Sequence, residues 1–421
     1  MSFSIKEAYK QSEFGLIPSN WYVSSFEDVT LEHKQGYYTK EAYTDNGVRL
    51  LRITDLKNPK VLYENSPFLI VSDKEYDQFK VEPGDFLFAR SGAIGRYGIV
   101  PSDISPSIFA SYLIRFKFDT SKVVREFLGL FYESEYGQNQ ISKITQGSSN
   151  ININANNIKT LKLPLPPLRE QQKITEILSA TDEQIEKTEQ LIEKTKELKK
   201  GLMQNLFTKG VYNGEFKNTE LGDVPVRWNV ELIDKVAIRK SGHTPNKKVS
   251  EYWSGEIPWI SLKDISRLDK RYVKATTDYV SLEGIKNSSA VILPPGTVIV
   301  SRDATVGKIG ITEKEMATSQ HFINYICSEE LNNIYLYYYF LYKKDMFIRI
   351  AAGSTIKTIG LDFFKKLKII VPPIEEQQKI ADILFSIDIQ IETYEKENEK
   401  QIELKKALMQ QLLTGEIRVT V

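Results

Sequence analysis

The chain has 421 residues, and its 41% hydrophobic and 26% charged residues are typical of a globular protein with two or three domains. Its single cysteine, Cys327, excludes a disulfide framework and a cysteine-rich zinc site built from this chain alone. The formal net charge of +1 means that any basic surface for nucleic acid must be local.

The chain starts with MSFSIKEAYKQSEF, which lacks the apolar core of a signal peptide. No run of about 18 apolar residues, the length that a membrane-spanning helix needs, occurs anywhere in the sequence. We therefore expect a cytoplasmic protein that does not enter a membrane.

The second half of the chain repeats the motifs of the first half in the same order. The matched pairs, at shifts of 206 to 212 residues, are Glu13–Trp21 with Glu220–Trp228, Leu51–Lys57 with Trp259–Ile265, Glu82–Val100 with Pro294–Thr312, and Pro166–Thr208 with Pro372–Thr414. In the last pair 25 of 43 positions are identical without a gap. Because the period is far longer than the 20 to 50 residues of a solenoid repeat, the pattern indicates two duplicated domains.

Each half has short apolar runs that alternate with turn residues, which predicts a mixed α+β domain. The run Gly92-x-x-Gly95-x-x-Gly98 lacks the start of a nucleotide-binding loop and lies between the apolar runs FLFA and YGIV. It therefore predicts a β-hairpin. The polar residues in its loop and in the loop of the second copy are Arg90, Ser91 and Arg96, and Arg302, Asp303, Thr305 and Lys308.

A long helix is predicted to follow each domain, starting at Pro167 and Pro373, because proline is favoured in the first turn of a helix. Apolar residues then recur in steps of three and four, as on the packed face of a coiled coil. The predicted packing residues are Ile174, Leu178, Ile185, Ile192 and Leu198 in the first helix, and Ile380, Leu384, Ile391, Leu404 and Leu408 in the second. We expect the two helices to pack against each other in an antiparallel coiled coil.

The charges of the first helix are nearly balanced, which is typical of a solvated face. An alternative is that part of this surface, around Glu197–Lys200 and Glu403–Lys406, docks a partner protein. One region, Arg239–Lys274, has more Lys and Arg than Asp and Glu. This composition would suit a DNA-facing surface, although an ordinary solvated face explains it equally well.

No motif in the chain predicts a catalytic site. The Pro-Pro pairs stand in LPPL, LPPG and VPPI, which lack the Asn or Asp and the aromatic residue that a DNA amino-methyltransferase needs. The three histidines, His33, His243 and His321, lack the spacing of metal ligands, so no metal site is expected.

Three repeated features together closely resemble the specificity subunits of type I restriction-modification systems, over nearly the whole chain. They are the opening motif that ends in Trp21 and Trp228, the Arg-containing glycine hairpin, and the PP-x-x-EQQKI start of each long helix. The resemblance implies a fold of two duplicated mixed α/β target-recognition domains separated by the two helices. The domains would be residues 1–165 and 210–371, and the helical segments 166–209 and 372–421.

The resemblance also implies a non-catalytic subunit in which each domain reads one half of a bipartite site in double-stranded DNA. The helices would set the spacing between the halves and hold two methyltransferase subunits, which restriction subunits can join. S-adenosylmethionine, ATP and Mg would belong to those partner subunits, and this chain would bind no cofactor.

DNA contacts need Lys and Arg for phosphates, and Arg, Asn, Gln, Ser and Thr for base edges. The resulting candidates are Arg90, Ser91, Arg96, Gln146, Ser148, Ser149 and Asn150 in the first domain, and Arg302, Thr305, Lys308, Ser354, Thr355 and Lys357 in the second. Ordinary loop polarity is the competing explanation for each of them.

Two other functions stay open at this point. A stand-alone DNA-modifying enzyme with an unrecognised active site would transfer methyl groups or cleave DNA without partners. A coiled-coil scaffold that binds only protein would not depend on DNA, or on Arg90 and Arg302.

Overall fold

A computed structural model of the chain describes residues 9–145, 152–212, 214–353 and 357–420. The chain divides into two compact units. The first unit consists of Met1–Glu189 together with Lys396–Val421, and the second unit consists of Gln190–Glu395. Each unit therefore holds one mixed α/β domain, the beginning of one long helix and the end of the other.

The first unit starts with the N-terminal domain. Its strands are β1 Tyr9–Ser12, β2 Gly15–Pro18, β3 Tyr22–Ser25, β4 Thr30–Gln35, β5 Val48–Leu51, β6 Leu56–Lys57, β7 Lys60–Val61, β8 Phe68–Leu69, β9 Phe86–Ala89, β10 Tyr97–Ile99, β11 Ser107–Phe109, β12 Leu113–Phe118 and β13 Lys162–Leu165. Its short helices are α1 Phe26–Val29, a 3-10 helix Ile53–Asp55, α2 Asp73–Phe79, α3 Arg125–Glu133, α4 Glu135–Thr145 and α5 Ala155–Lys159. The first long helix, α6, is Leu168–Lys209.

The second domain and the second long helix complete the chain. The strands are β14 Phe216–Thr219, β15 Gly222–Pro225, β16 Asn229–Leu232, β17 Ala237–Ser241, β18 Ile257–Ile260, β19 Tyr272–Val273, β20 Asp278–Val280, β21 Val298–Ser301, β22 Ile309–Thr312, β23 Ala317–Thr318, β24 Phe322–Cys327 and β25 Lys368–Val371. The helices are α7 Ile233–Val236, 3-10 helices Ser250–Trp253 and Leu262–Asp269, α8 Leu282–Lys286, α9 Asn333–Tyr342, α10 Lys344–Ile350, α11 Leu361–Lys365 and α12 Ile374–Leu412.

The duplication extends to the sheet topology. The main sheet of the first unit has the order β10-β9-β12-β4, and that of the second has the order β17-β24-β21-β22-β19. A smaller sheet accompanies each, with the order β11-β5-β8 in the first unit and β20-β18-β23 in the second. In both small sheets one strand pair is parallel, namely β5 with β11 and β18 with β23. The two domains are therefore copies of one fold, as the sequence repeat predicted.

A buried tryptophan joins the opening motif of each half to the start of its long helix. Trp21 is fully buried and donates its indole N–H to Glu170 at 2.9 Å, and Trp228 does the same to Glu376 at 2.9 Å. The buried carboxylate of Glu376 also accepts from Arg227 at 2.7 Å. A buried polar group needs such partners, which explains why the Trp and Glu motifs recur together.

The next residue of the same motif fixes a neighbouring helix. Gln171 accepts a hydrogen bond from the backbone N–H of Val124, directly before α3, and Gln377 accepts one from Asn332, directly before α9. Each glutamine side chain also donates to the carbonyl oxygen of the first proline of its own Pro-Pro pair, at 2.8 Å. The repeated EQQ segment therefore connects each long helix to its domain by hydrogen bonds. Both long helices start directly after the predicted prolines.

Inside each unit the two helix segments pack antiparallel and share a lysine–aspartate pair. In the first unit Lys405 contacts Asp182 at 2.6 Å, and in the second Lys199 contacts Asp388 at 2.5 Å. Lys199 and Lys405 stand at the same position of the repeat, as do Asp182 and Asp388. The first helix supplies the aspartate in the first unit and the lysine in the second. In the second unit Tyr338 and Arg271 also bind Asp388, which ties the domain to the helices.

Two of the predicted packing residues were wrong. Leu198 is 55% exposed and Leu404 is 54% exposed, whereas the lysine of each pair, which follows next in the chain, is partly buried. The three-and-four stepping from Thr195 leads to Lys199, so the leucine beside it points away from the packed face. Of the other predicted packing residues, Ile185 and Leu408 are partly buried, and those that are fully buried are Ile174, Leu178, Ile192, Ile380, Leu384 and Ile391.

Candidate nucleic-acid interface

Both glycine motifs form the predicted β-hairpins. Strands β9 and β10 pair antiparallel, with Phe88 opposite Tyr97, and β21 and β22 pair antiparallel, with Val300 opposite Ile309. The connecting loops are residues 90–96 and 302–308. Each loop therefore lies at the end of the main sheet of its unit.

The same backbone frame holds each hairpin loop from two sides. In the first unit the Arg90 N–H donates to Tyr112 at 2.9 Å, and the Arg90 carbonyl accepts from Ile153 at 2.8 Å. In the second unit the Arg302 N–H donates to His321 at 2.9 Å, and the Arg302 carbonyl accepts from Ile359 at 2.8 Å. Three chain segments thus meet at one edge of each domain.

The third of these segments adjoins the second set of predicted DNA contacts. Ser91 forms a bridge with Asn152, and the Lys357 carbonyl accepts from the N–H of Ala304 at 3.1 Å. Each hairpin loop therefore contacts the chain segment that follows the second set of candidates, at Asn152 in the first unit and at Lys357 in the second. The candidates that lie outside the described residues are Gln146, Ser148, Ser149, Asn150, Ser354 and Thr355.

The two arginines at the base of the loops are only half exposed, and the second one is engaged by the protein. Arg302 donates from Nε to the Ile359 carbonyl at 2.9 Å and from a terminal nitrogen to the Gln320 carbonyl at 3.5 Å. Among the residues that the structure describes, the buried Nε of Arg90 has no hydrogen-bond partner. Arg302 therefore holds the loop to its neighbours, and a phosphate contact by either arginine stays a prediction.

The remaining described candidates lie on the surface of the loops. Arg96, Thr305 and Lys357 are exposed, and Ser91 and Lys308 are half-buried. A phosphate could be reached by Arg96 and Lys357 from these positions, and a base edge by Thr305 or Ser91.

Sequence reasoning missed a polar cluster at the edge of the second unit. The ring of His321 contacts the Asp303 carboxylate through Nδ1 at 2.8 Å, and Thr358 donates to the other carboxylate oxygen at 2.7 Å. Partial burial raises the pKa of Asp303, but hydrogen bonds from Thr358, His321 and Ala304 outweigh it and hold this pKa below its ordinary value. The alignment of the repeats could have found His321, since it stands directly before β24 as Tyr112 stands before β12.

The first unit carries a different surface beside its hairpin. A cavity there is lined by residues of the segment 37–43 and of the segment 110–112. Three tyrosines at it, Tyr38, Tyr43 and Tyr112, are each more than half exposed. Exposed aromatic side chains of this kind are enriched where proteins bind partners.

The basic segment Arg239–Lys274 is largely neutralised by acidic neighbours. Its ion pairs are Arg239 with Asp234, Lys263 with Asp278, Arg267 with Asp264, Arg271 with Asp388, and Lys274 with Glu313. Lys247 and Lys248 are exposed, in the loop after β17. Lys240 and Lys270 of the same segment are exposed as well, and a DNA-facing role of the segment stays a prediction.

The described residues contain neither a metal-binding cluster nor a membrane-spanning helix. No group of three or more His, Cys, Asp and Glu side chains within residues 9–145, 152–212, 214–353 and 357–420 is placed to hold a metal ion. Over the same ranges, no helix combines the length and the apolar character that crossing a membrane requires.

Known proteins match this chain along almost its entire length. The family model of the type I restriction modification DNA specificity domain matches residues 18–197 and again residues 225–404. The type I restriction enzyme MjaVIII specificity subunit of Methanocaldococcus jannaschii is 26% identical and covers 100% of this chain, and the match covers 98% of that protein.

Solved structures have the same fold. A chain from a study of assembly and conformational transition of the type I restriction-modification system superposes with a TM-score of 0.61 at 19% identity, over 95% of this chain and 99% of that one. The type I S subunit from M. genitalium superposes with a TM-score of 0.58 at 16% identity, over 95% of this chain and 97% of that one. With both of its domains matched by the family model, the chain belongs to the specificity subunits of type I restriction-modification systems, which recognise the DNA sequence.

Proposed function

We propose that each unit reads one half of a bipartite site in double-stranded DNA, and that the two halves differ in sequence. The observation that supports this most directly is the pair of hairpin edges, which share their backbone hydrogen bonds but carry different side chains. Ser91 and Tyr112 stand in the first unit where Asp303 and His321 stand in the second. Because base pairs differ in the donors and acceptors that they present, different side chains on one frame select different sequences.

The two long helices set the distance between the half-sites and dock two methyltransferase subunits. Each unit presents one of the repeated leucines to solvent, Leu198 in the second and Leu404 in the first. Charged residues flank both, within Glu197–Lys200 and Glu403–Lys406. An apolar side chain inside a charged rim is the usual composition of a protein-binding patch, and its duplication suits two copies of one partner.

Methyl transfer and cleavage take place in partner subunits, so S-adenosylmethionine, ATP and Mg bind there, and this chain binds none of them. Restriction subunits join the complex of this chain with two methyltransferase subunits. The assembly acts in the cytoplasm, where the DNA that it reads is found.

The experiment is to purify the chain with its methyltransferase partner and to map the methylated bases in genomic DNA. The expected result is one split, asymmetric site, and Arg96→Ala should weaken binding to that site at low salt and make the fall of affinity with rising salt less steep. Methylation without any sequence preference would contradict the proposal, as would methyl transfer by the isolated chain.

The docking surface is tested by Leu198→Glu and Leu404→Glu, singly and together. Each single change should lower the number of methyltransferase subunits bound from two to one, measured by native mass spectrometry, and the double change should abolish binding. Ile389→Glu is the matched control, because Ile389 is 45% exposed but has Glu183 as its counterpart in the repeat. Unchanged stoichiometry in the double variant would overturn the assignment.

A further inference from the structure

The edge of the second unit holds a histidine in one defined orientation. Asp303 sits in the hairpin loop and His321 directly before β24, and the two side chains meet at 2.8 Å between Oδ2 and Nδ1. The second carboxylate oxygen is occupied by Thr358 at 2.7 Å and by the N–H of Ala304 at 2.8 Å. The carboxylate thus has partners from three chain segments, so it cannot turn away from the ring.

The partner of Nδ1 decides which proton the ring carries. An ionised carboxylate can only accept, so the Nδ1 atom of His321 must hold the proton and donate to Asp303. In the neutral ring Nε2 is then an acceptor. Within the part of the chain that the structure describes, Nε2 has no hydrogen-bond partner, and the side chain is 28% exposed.

His321 adjoins the hairpin loop that carries predicted DNA contacts. Its own carbonyl accepts from the N–H of Arg302, so the histidine is part of the frame that holds the hairpin loop. Exposed Thr305 lies in the same loop, and exposed Lys357 directly precedes Thr358. In the first unit the same place is taken by Tyr112, which is 60% exposed, and Ser91 stands where the second unit has Asp303.

We propose that His321 is a specificity-determining residue of the second unit, whose Nε2 accepts a hydrogen bond from the exocyclic amino group of an adenine or cytosine in the major groove. Asp303 and Thr358 act as positioning residues for the ring. The inference rests on the proposed function, since it assumes that the hairpin edge of the second unit faces DNA. Amino groups of adenine and cytosine are the major-groove donors, which makes an oriented acceptor able to distinguish them from the carbonyl edges of thymine and guanine.

The test uses the full complex with the methyltransferase subunits and selects preferred sites from a DNA library. His321→Ala should reduce the preference about tenfold at one base position of one half-site and should leave the other half-site unchanged, as expected for one hydrogen bond of about 1.4 kcal/mol. Asp303→Asn should reduce the preference at the same position. His33→Ala is the matched control, because His33 is an exposed histidine of the first unit, stacked on Phe116.

A second measurement separates a base contact from a structural role. An oligonucleotide that lacks the amino group at the affected position should bind the wild-type complex about tenfold more weakly, and should bind the His321→Ala complex no more weakly than the intact site. Equal losses in both complexes would overturn the proposal, as would an unchanged preference in His321→Ala. In those cases the proposed function still stands if Arg96→Ala weakens binding, and it fails if the wild-type complex itself has no sequence preference.

Discussion

The hairpin edges of the two units differ in a way that their helices do not. At the edges Ser91 and Tyr112 of the first unit are replaced by Asp303 and His321 in the second, although the backbone hydrogen bonds around them are the same. On the helices both units keep the same lysine–aspartate pair. The two units therefore share the backbone frame of the hairpin edge and the ion pair of the helices, while side chains on the proposed DNA face differ between them.

Removal of the lysine–aspartate pair is expected to have the largest effect, and a different effect in each unit. Asp388→Ala in the second unit removes the carboxylate that binds Lys199 and the buried Arg271, and leaves both cations without a carboxylate partner among the described residues. We expect a loss of about 3–5 kcal/mol in unfolding free energy of that unit. Hydrogen exchange by mass spectrometry, read separately on peptides from each unit, measures it.

The equivalent change in the first unit, Asp182→Ala, should cost only about 1 kcal/mol. Asp182 is 36% exposed, and Lys405 keeps a second carboxylate, Glu133, at 3.3 Å. If both substitutions destabilised their units equally, the added contacts of Asp388 with the second domain would have no energetic weight.

The buried glutamate under Trp228 predicts acid sensitivity in the second unit. Burial raises the pKa of Glu376, but hydrogen bonds from Trp228, Val211 and Arg227 outweigh it and hold this pKa below its ordinary 4.5. A lowered pKa in the folded state stabilises folding above pH 4.5, and this contribution disappears as the pH falls through the folded pKa. Glu376→Gln should therefore cost about 1–3 kcal/mol at pH 7 and progressively less below pH 4.5.

The measurement is the unfolding free energy of the second unit by hydrogen exchange across a pH series. Glu220→Gln is the control, because Glu220 pairs with Lys368 but is 55% exposed, and its pH dependence should match that of the wild type. A constant difference between Glu376→Gln and wild type at all pH values would contradict the assignment.

The hairpin loops predict the smallest effect. Gly92 has a φ of 71° and Ala304, at the same position of the repeat, has a φ of 59°, a left-handed conformation that costs an alanine about 1 kcal/mol. We expect Gly92→Ala to destabilise the first unit and Ala304→Gly to stabilise the second, each by less than about 1 kcal/mol. Thermal melts compare the two exchanges, and a destabilised Ala304→Gly would show that the loop is not strained there.

Much of the fold could be predicted from the sequence because its signals are local and occur twice. Proline marks the start of each long helix, and glycines between apolar runs mark each hairpin. The packed face of the helices was predicted less well, because an apolar criterion selects Leu198 over Lys199. In the structure Leu198 is exposed, and Lys199 is partly buried beside an aspartate of the other helix. The charge that satisfies Lys199 is 189 residues away, where no local pattern points to it.

The candidate site shows the same limit. The hairpin loops were found, since glycine spacing is local, but His321 was not, because its partner Asp303 is brought to it only by the pairing of β21 with β24. Arg302 was selected for its charge, although its guanidinium is engaged by carbonyls of two other segments. Composition of a loop thus indicates a candidate surface, while the role of each side chain depends on tertiary contacts.

The composition of the two units also has a consequence for synthesis on the ribosome. The second unit is a continuous stretch, Gln190–Glu395, but the core of the first unit includes Met409, Leu412 and Leu413. Domains generally fold as they emerge, the N-terminal one first. We expect the first unit to complete its core only after α12 has been synthesised, which is later than the whole of the second unit.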